Sequence, residues 1–170
     1  DIATSVQPTS PLAFSRRRSY YCSVPSSMKP LPRLLAPRLR EALADTPAVL
    51  LHGPRQSGKT TLARSVGEPR GYRYLTFDDD AVLTAARRDP AGFVAALPRR
   101  TILDEVQRVP EIFTSLKSVI DRERTAGRFI LTGSANILFL PNLADSLAGR
   151  MGILRLHPFA PQPGRREQRK

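Results

Sequence analysis

Apolar positions follow two rhythms along this chain. Unbroken apolar runs at Ala48-Val49-Leu50-Leu51, Thr101-Ile102-Leu103 and Phe129-Ile130-Leu131-Thr132 read as buried strands, and residues 72–77 and 152–156 read as two more. The stretches between them carry apolar residues three or four positions apart, the spacing of one helix face. Leu31, Leu35, Leu39 and Leu43 make the first such face. Pro37 interrupts it, so the helix proper is expected to start there, with Pro in its first turn, and Asp45-Thr46-Pro47 ends it. Further helices are expected over 59–66, closed by Gly67, over 81–88, and from Pro90 to Leu97 behind Asp89 as N-cap. The longest, 111–124, sets Ile112, Leu116, Val119 and Ile120 on one face and is ended by Gly127. Residues 136–147 are expected to be helical around Pro141.

Five short strands separated by helices predict an α/β fold: a parallel five-stranded sheet with helices on both faces and right-handed crossovers. The folded domain is expected over 31–158. Residues 1–30 hold seven Ser and four Pro and no apolar period, and are expected to be a disordered extension. Arg16-Arg17-Arg18-Ser19 gives them some likeness to an organelle transit peptide. The stronger expectation is upstream translation or artificial sequence, with Met28 as the natural start. No apolar segment follows the arginines, which argues against a secretory signal. Residues 159–170, with Pro161, Pro163, Gly164 and then charge, are expected to be a disordered basic tail.

Composition narrows the classes. At 41% apolar residues the chain can build a core, and wholesale disorder is excluded. No run approaches the roughly 18 apolar residues of a membrane span, and a cytoplasmic location is expected. The single cysteine, Cys22, excludes an intrachain disulfide and a thiolate zinc cluster. The net charge is +12, with +3 of it in residues 165–170 and +2 in residues 1–27. A basic balance permits contact with nucleic acid but does not identify it as the partner.

The chemistry concentrates at Gly53-Pro54-Arg55-Gln56-Ser57-Gly58-Lys59-Thr60, which fits the phosphate-binding pattern G-x-x-x-x-G-K-[ST] between a strand and a helix. Gly53 and Gly58 let the backbone turn tightly and bring amide N–H groups onto phosphates. Lys59 would reach the β- and γ-phosphates, Thr60 would bind Mg2+, and the helix N-terminus adds its positive end. Thr61 joins the loop residues as a nucleotide contact. Asp104 and Glu105 close a strand at its C-terminal end, where ligands of open α/β sheets sit. Asp104 is expected to hold Mg2+, and Glu105 to orient and polarise a water aimed at the γ-phosphate.

One strand intervenes between the phosphate-loop strand and the acid strand, and another, 129–132, follows. That order of motifs predicts the P-loop NTPase sheet order fifth, first, fourth, third, second. The end of the fourth strand then carries a polar sensor beside the γ-phosphate, Ser134 as first choice and Thr132 as second. The alternative for Ser134 is a cap on the following helix.

GPRQSGKTTLAR (53–64), YLTFDD (74–79), ILDEVQRVPEIFTSLKSVID (102–121), FILTGSAN (129–136) and LAGR (147–150) resemble the prokaryotic AAA-type ATPases that pair an N-terminal P-loop domain with a C-terminal domain of unknown function. The resemblance covers about residues 30–158 and implies an ATP-binding domain with ATPase-type motifs. Leu147-Ala148-Gly149-Arg150 is similar to the arginine motif that related signal-transduction ATPases use near the nucleotide. Arg150 would stabilise the transferring phosphoryl group, in trans across a homo-oligomer, or else pair with a surface acid such as Asp145. The second domain of that family has no counterpart here, so the chain is expected to be a fragment or frameshifted product with low activity alone.

Other polar residues are read more plainly. His52 and His157 are too far apart in sequence to suggest a metal site. Asp78, Asp79 and Asp80 are expected to cap the helix that follows them, with a contribution to the metal's acidic field as the alternative. Arg55 solvates or meets phosphate, Gln107 could position a water or a partner subunit's nucleotide, and Arg87-Arg88 and Arg99-Arg100 are surface pairs. Two alternatives to Mg2+-dependent ATP hydrolysis stand beside it: a P-loop kinase acting on a small molecule, for which no lid insertion is visible, and a nucleic-acid-binding module, which rests on charge alone.

Overall fold

Side chains alternate across a strand, so a strand buried on both faces must be apolar throughout. β1 (Ala48–His52), β3 (Thr101–Asp104) and β4 (Phe129–Gly133) are buried at every position. These are the unbroken apolar runs. β2 (Arg73–Thr76) and β5 (Met151–Arg155) are partly exposed, because they form the two edges. The computed structural model describes residues 35–139 and 149–157. The expectations for 1–34, for the helix beyond Phe139 and for the tail from Pro158 lie outside the described residues.

The five strands pair in parallel in the order β2-β3-β4-β1-β5, the order predicted from the motifs. Leu50, Leu103 and Leu131 point to one face, where they pack with Phe77, Leu83, Val94, Phe113 and Leu116 from the side of α3 (Asp80–Arg88), α4 (Pro90–Ala95) and α5 (Ile112–Glu123). Val49, Leu51, Ile102 and Ile130 point to the other, against Leu39 and Leu43 of α1 (Leu35–Asp45) and Leu62 and Val66 of α2 (Lys59–Gly67). Helices therefore cover both faces. Among the described residues no helix is long and apolar enough to cross a membrane.

Two helix ends depart from the sequence. Gly67 does not close α2: it stays right-handed at φ -85 and leads into the 3-10 turn Glu68–Arg70, which left-handed Gly71 ends at φ 81. Asp89 accepts from the Gly92 N–H at 2.8 Å and Pro90 opens α4. Asp79 accepts from the N–H groups of Ala81 and Val82 at 2.8 and 3.4 Å, so it is the capping member of the Asp78–Asp80 run. Asp79→Ala is expected to cost about 1 kcal/mol of stability, the usual loss of an N-cap, and a denaturant midpoint unmoved by the change would remove that role. The other departure is α5. It ends on Arg124, left-handed at φ 36, whose N–H donates to the Ile120 carbonyl at 2.7 Å, three residues ahead of Gly127. Gly127, at φ 64, serves the next step instead. Its N–H donates to the Thr46 carbonyl at 2.9 Å, and a Cβ there would lie 2.7 Å from the Leu43 carbonyl oxygen.

Candidate active site

The loop between β1 and α2 sits at the C-terminal end of the sheet. Gln56 and Gly58 both have positive φ, 60 and 74, and such alternation turns successive amides toward one concave side. Gly58 is the N-cap of α2, so the first amides of that helix open onto the same space. Gly53 has a packing reason beyond the one its motif suggests. A Cβ there would meet the Leu156 carbonyl oxygen at 2.3 Å, where the chain leaving β5 bonds back to the His52 carbonyl at 2.8 Å.

Lys59 is buried, and its Nζ donates to the carbonyls of Gly53 and Pro54 at 3.2 and 2.9 Å. The cation thus lies folded against its own loop. Thr60 Oγ1 donates across both oxygens of Asp104, at 2.9 and 3.1 Å. The two residues expected to share a metal are therefore adjacent, from α2 and β3. Asp104 is itself buried and takes further donors from both neighbouring strands: Tyr74 Oη on β2 at 2.8 Å, and Thr132 Oγ1 on β4. Burial, and then the bond to Asp104, push the Tyr74 phenol well above the ordinary tyrosine range. Tyr74 is the site residue the sequence did not single out.

Glu105 follows in a left-handed conformation, φ 59, uncommon for a residue with a side chain. Its N–H donates to Thr132 Oγ1 at 3.2 Å. Its carboxylate accepts from Gln107 Nε2, while Gln107 Oε1 accepts from the Ser134 N–H at 3.3 Å. Gln107 therefore ties Glu105 to the end of β4. The Ser134 carbonyl accepts from Ile137 N–H at 3.1 Å at the head of the short 3-10 turn Ala135–Phe139.

A cleft of about 1120 Å³ opens over these groups. Pro54, Arg55, Gln56, Gly58, Lys59, Thr60 and Thr61 line one side, and Glu105, Gln107, Ser134 and Asn136 the other, with Asp78 and Arg108, paired at 2.7 Å, on the wall. Asp104 and Ser57 lie buried beneath. The cleft lining does not include Arg150. Its guanidinium grips Asp121 of α5 through both carboxylate oxygens, Nη2 to Oδ2 at 3.1 Å, and holds that carboxyl below the usual range. Asp121 is a surface acid, the kind of partner that the alternative for Arg150 expected, and Asp145 lies outside the described residues.

The donor set suits Mg2+ and a nucleoside triphosphate. Mg2+ keeps several waters and takes one or two carboxylates plus phosphate oxygens. Among the described residues no group of three His, Cys, Asp or Glu side chains could cage a metal, whereas one carboxylate and one hydroxyl stand side by side beneath an amide-lined loop. His52 is buried, and its imidazole is pushed toward the neutral form by burial and then by Arg155, His157 and Lys59, which suits a core residue.

Comparison with known proteins agrees with this geometry. The sequence profile of a family described as AAA domain matches residues 45–162. The chain is 41% identical over 122 residues to the uncharacterized proteins Mb2031c of Mycobacterium bovis and Rv2008c of Mycobacterium tuberculosis, covering 71% of this chain and 27% of each relative. It thus spans about a quarter of the length of the curated relatives it matches. Among solved structures, a DNA replication initiation factor superposes with a TM-score of 0.52 at 18% identity, over 72% of this chain and 44% of that one, a likeness of fold alone. AMPPCP-bound DnaA from Aquifex aeolicus gives 0.45 at 20% identity, over 71% and 44%. With its sheet order, its phosphate loop and a profile match that spans most of its length, the chain belongs to the AAA-type P-loop ATPase family.

Proposed function

We propose that this chain is a Mg2+-dependent ATP-hydrolysing domain that switches or drives a second domain. The observation that carries the reading is the direct Thr60–Asp104 bond at 2.9 Å, with Glu105 one residue on and facing the loop's cleft. Thr60 and Asp104 would hold Mg2+, which would supply positive charge to offset the charge that develops on the phosphates. The loop amides of 53–60 and Lys59 hold the phosphates, Thr60 and Asp104 hold the cation, and Thr61 takes the next contact along the helix. Glu105 accepts a proton from the attacking water, and Gln107 keeps its carboxylate turned toward the cleft. Ser134 is the sensor of the γ-phosphate; Thr132, bonded to Asp104, serves the cation side. The requirement for ATP and Mg2+ is met in the cytoplasm. The greater length of the relatives supports an accompanying domain.

Arg150 acts across a homo-oligomer in this reading, and to do so it must leave Asp121. An arginine finger is worth about 10³–10⁵ in rate, so the chain alone is expected to hydrolyse slowly. Incubation with ATP and Mg2+ should release free phosphate, abolished by chelation, with turnover per chain rising with protein concentration. A phosphorylated acceptor in place of free phosphate would make it a kinase. Turnover independent of concentration would leave Arg150 as a surface partner of Asp121.

A further inference from the structure

We propose that Tyr74 is a positioning residue that fixes the Asp104 carboxylate for a divalent cation. The proposal rests on the nucleotide reading above and adds a residue that the phosphate-loop and acid-strand motifs do not contain. Three elements donate to Asp104: Thr60 from α2, Thr132 from β4 and Tyr74 from β2. They are not equivalent once a cation enters. A cation held by Thr60 would take a lone pair of its oxygen and leave its O–H, so the direction of the Thr60 bond would follow the cation and no longer be set by Asp104 alone. The other two donors come from the strands on either side of β3, Thr132 on Oδ1 and Tyr74 on Oδ2, one for each oxygen. Together they define the carboxylate plane when Thr60 follows the metal.

Tyr74 is placed for this by the sheet and held there by a clamp. Thr76 pairs with Asp104 and Tyr74 with Ile102 in the β2–β3 register, so the phenol emerges on the same face as Asp104, one side-chain repeat behind it. The phenol reaches forward along the strand to Oδ2 at 2.8 Å. The Arg64 guanidinium lies 4.7 Å from the ring centroid, and Glu68 holds that arginine at 2.6 Å. A half-buried ring between strand and helix needs no hydroxyl to pack. The hydroxyl donates to the carboxylate, and Thr76 on the same face is its second hydrogen-bond partner.

Tyr74→Phe keeps the ring and the arginine contact and removes the donor. ATP affinity of the full chain is measured by titration calorimetry, first with chelator and then across a Mg2+ series, beside a thermal melt. In the variant, metal-free ATP affinity and the melt should match the parent. The Mg2+ concentration that gives half of the metal-dependent gain in affinity should rise about tenfold, the lower end of the loss when a metal ligand's own partner is removed. A folded variant whose Mg2+ half-point equals the parent's would overturn the proposal and leave Tyr74 as packing. A parent chain that binds ATP no better with Mg2+ than without would strike the metal reading itself, and the two failures are told apart by which protein shows them.

Discussion

Replacing Glu105 by Gln is expected to lower ATP turnover about 10²–10⁴-fold, the usual contribution of a general base, while ATP stays bound. The loss corresponds to about 3–5 kcal/mol of barrier. The substitution is selective because of how Glu105 is held. Its backbone conformation, φ 59, is set by the turn that follows β3 and by the bond from its N–H to Thr132, neither of which involves the carboxylate. Its side chain accepts from Gln107 Nε2, and an amide oxygen at the same place still accepts, more weakly than the carboxylate. Only the charge and the basicity are removed. The phosphate loop, Thr60 and Asp104 are untouched, so nucleotide affinity should remain within about twofold, on the scale of a surface substitution of under 0.5 kcal/mol. Phosphate release and ATP binding measured on the same preparation test both halves. Turnover at the parent's rate would leave Glu105 as a strand-end residue whose left-handed backbone has some other cause.

What was legible in the sequence is what lies close together along the chain. The phosphate loop is eight consecutive residues with each type fixed by chemistry, and the structure places them around one concavity. Sheet order was legible for a different reason. The order of motifs, loop strand, intervening strand, acid strand, sensor strand, admits one familiar threading of a parallel sheet, and β4 does insert between β3 and β1. Long-range pairings were not legible. The bond from Tyr74 to Asp104 spans 30 positions and depends on the β2–β3 register, which no local pattern sets. The grip of Arg150 on Asp121 depends on how α5 lies against the start of β5. A surface acid was expected, but which one was not legible, because Asp121 lies 29 positions away. Gln107 was noticed for its place near Asp104, but its actual engagement, Glu105 on one side and Ser134 on the other, needs the end of β4 brought alongside. Gly127 shows the converse error. A glycine after a helical stretch reads as its cap, yet Arg124 takes the left-handed turn, and Gly127 is required because a Cβ there would lie 2.7 Å from the Leu43 carbonyl oxygen.

Lys59→Ala is expected to weaken ATP and ADP binding at least a hundredfold and to leave adenosine affinity nearly unchanged. The contrast between ligands is the substance of the prediction. The amine serves phosphates, so a ligand without them cannot report its loss. The magnitude follows from hydrogen bonds to charged groups, each worth about 1.5–3 kcal/mol, and two such bonds, one to a β- and one to a γ-oxygen, give a hundredfold or more. The structure adds a second consequence. Nζ is bonded to the Gly53 and Pro54 carbonyls, buried under the loop it belongs to. In that position it draws the loop carbonyls inward, which leaves the amides of the concave side turned out toward the cleft. Removing it frees both carbonyls and loosens the loop, so part of the lost affinity is lost preorganisation rather than lost charge. Lys59→Met separates the two, since it fills the space without the charge. If charge dominates, Met and Ala variants bind ATP equally poorly. If preorganisation dominates, Met recovers a measurable share. ATP bound by the alanine variant at the parent's strength would refute the phosphate-loop assignment, and with it the placement of the γ-phosphate opposite Glu105.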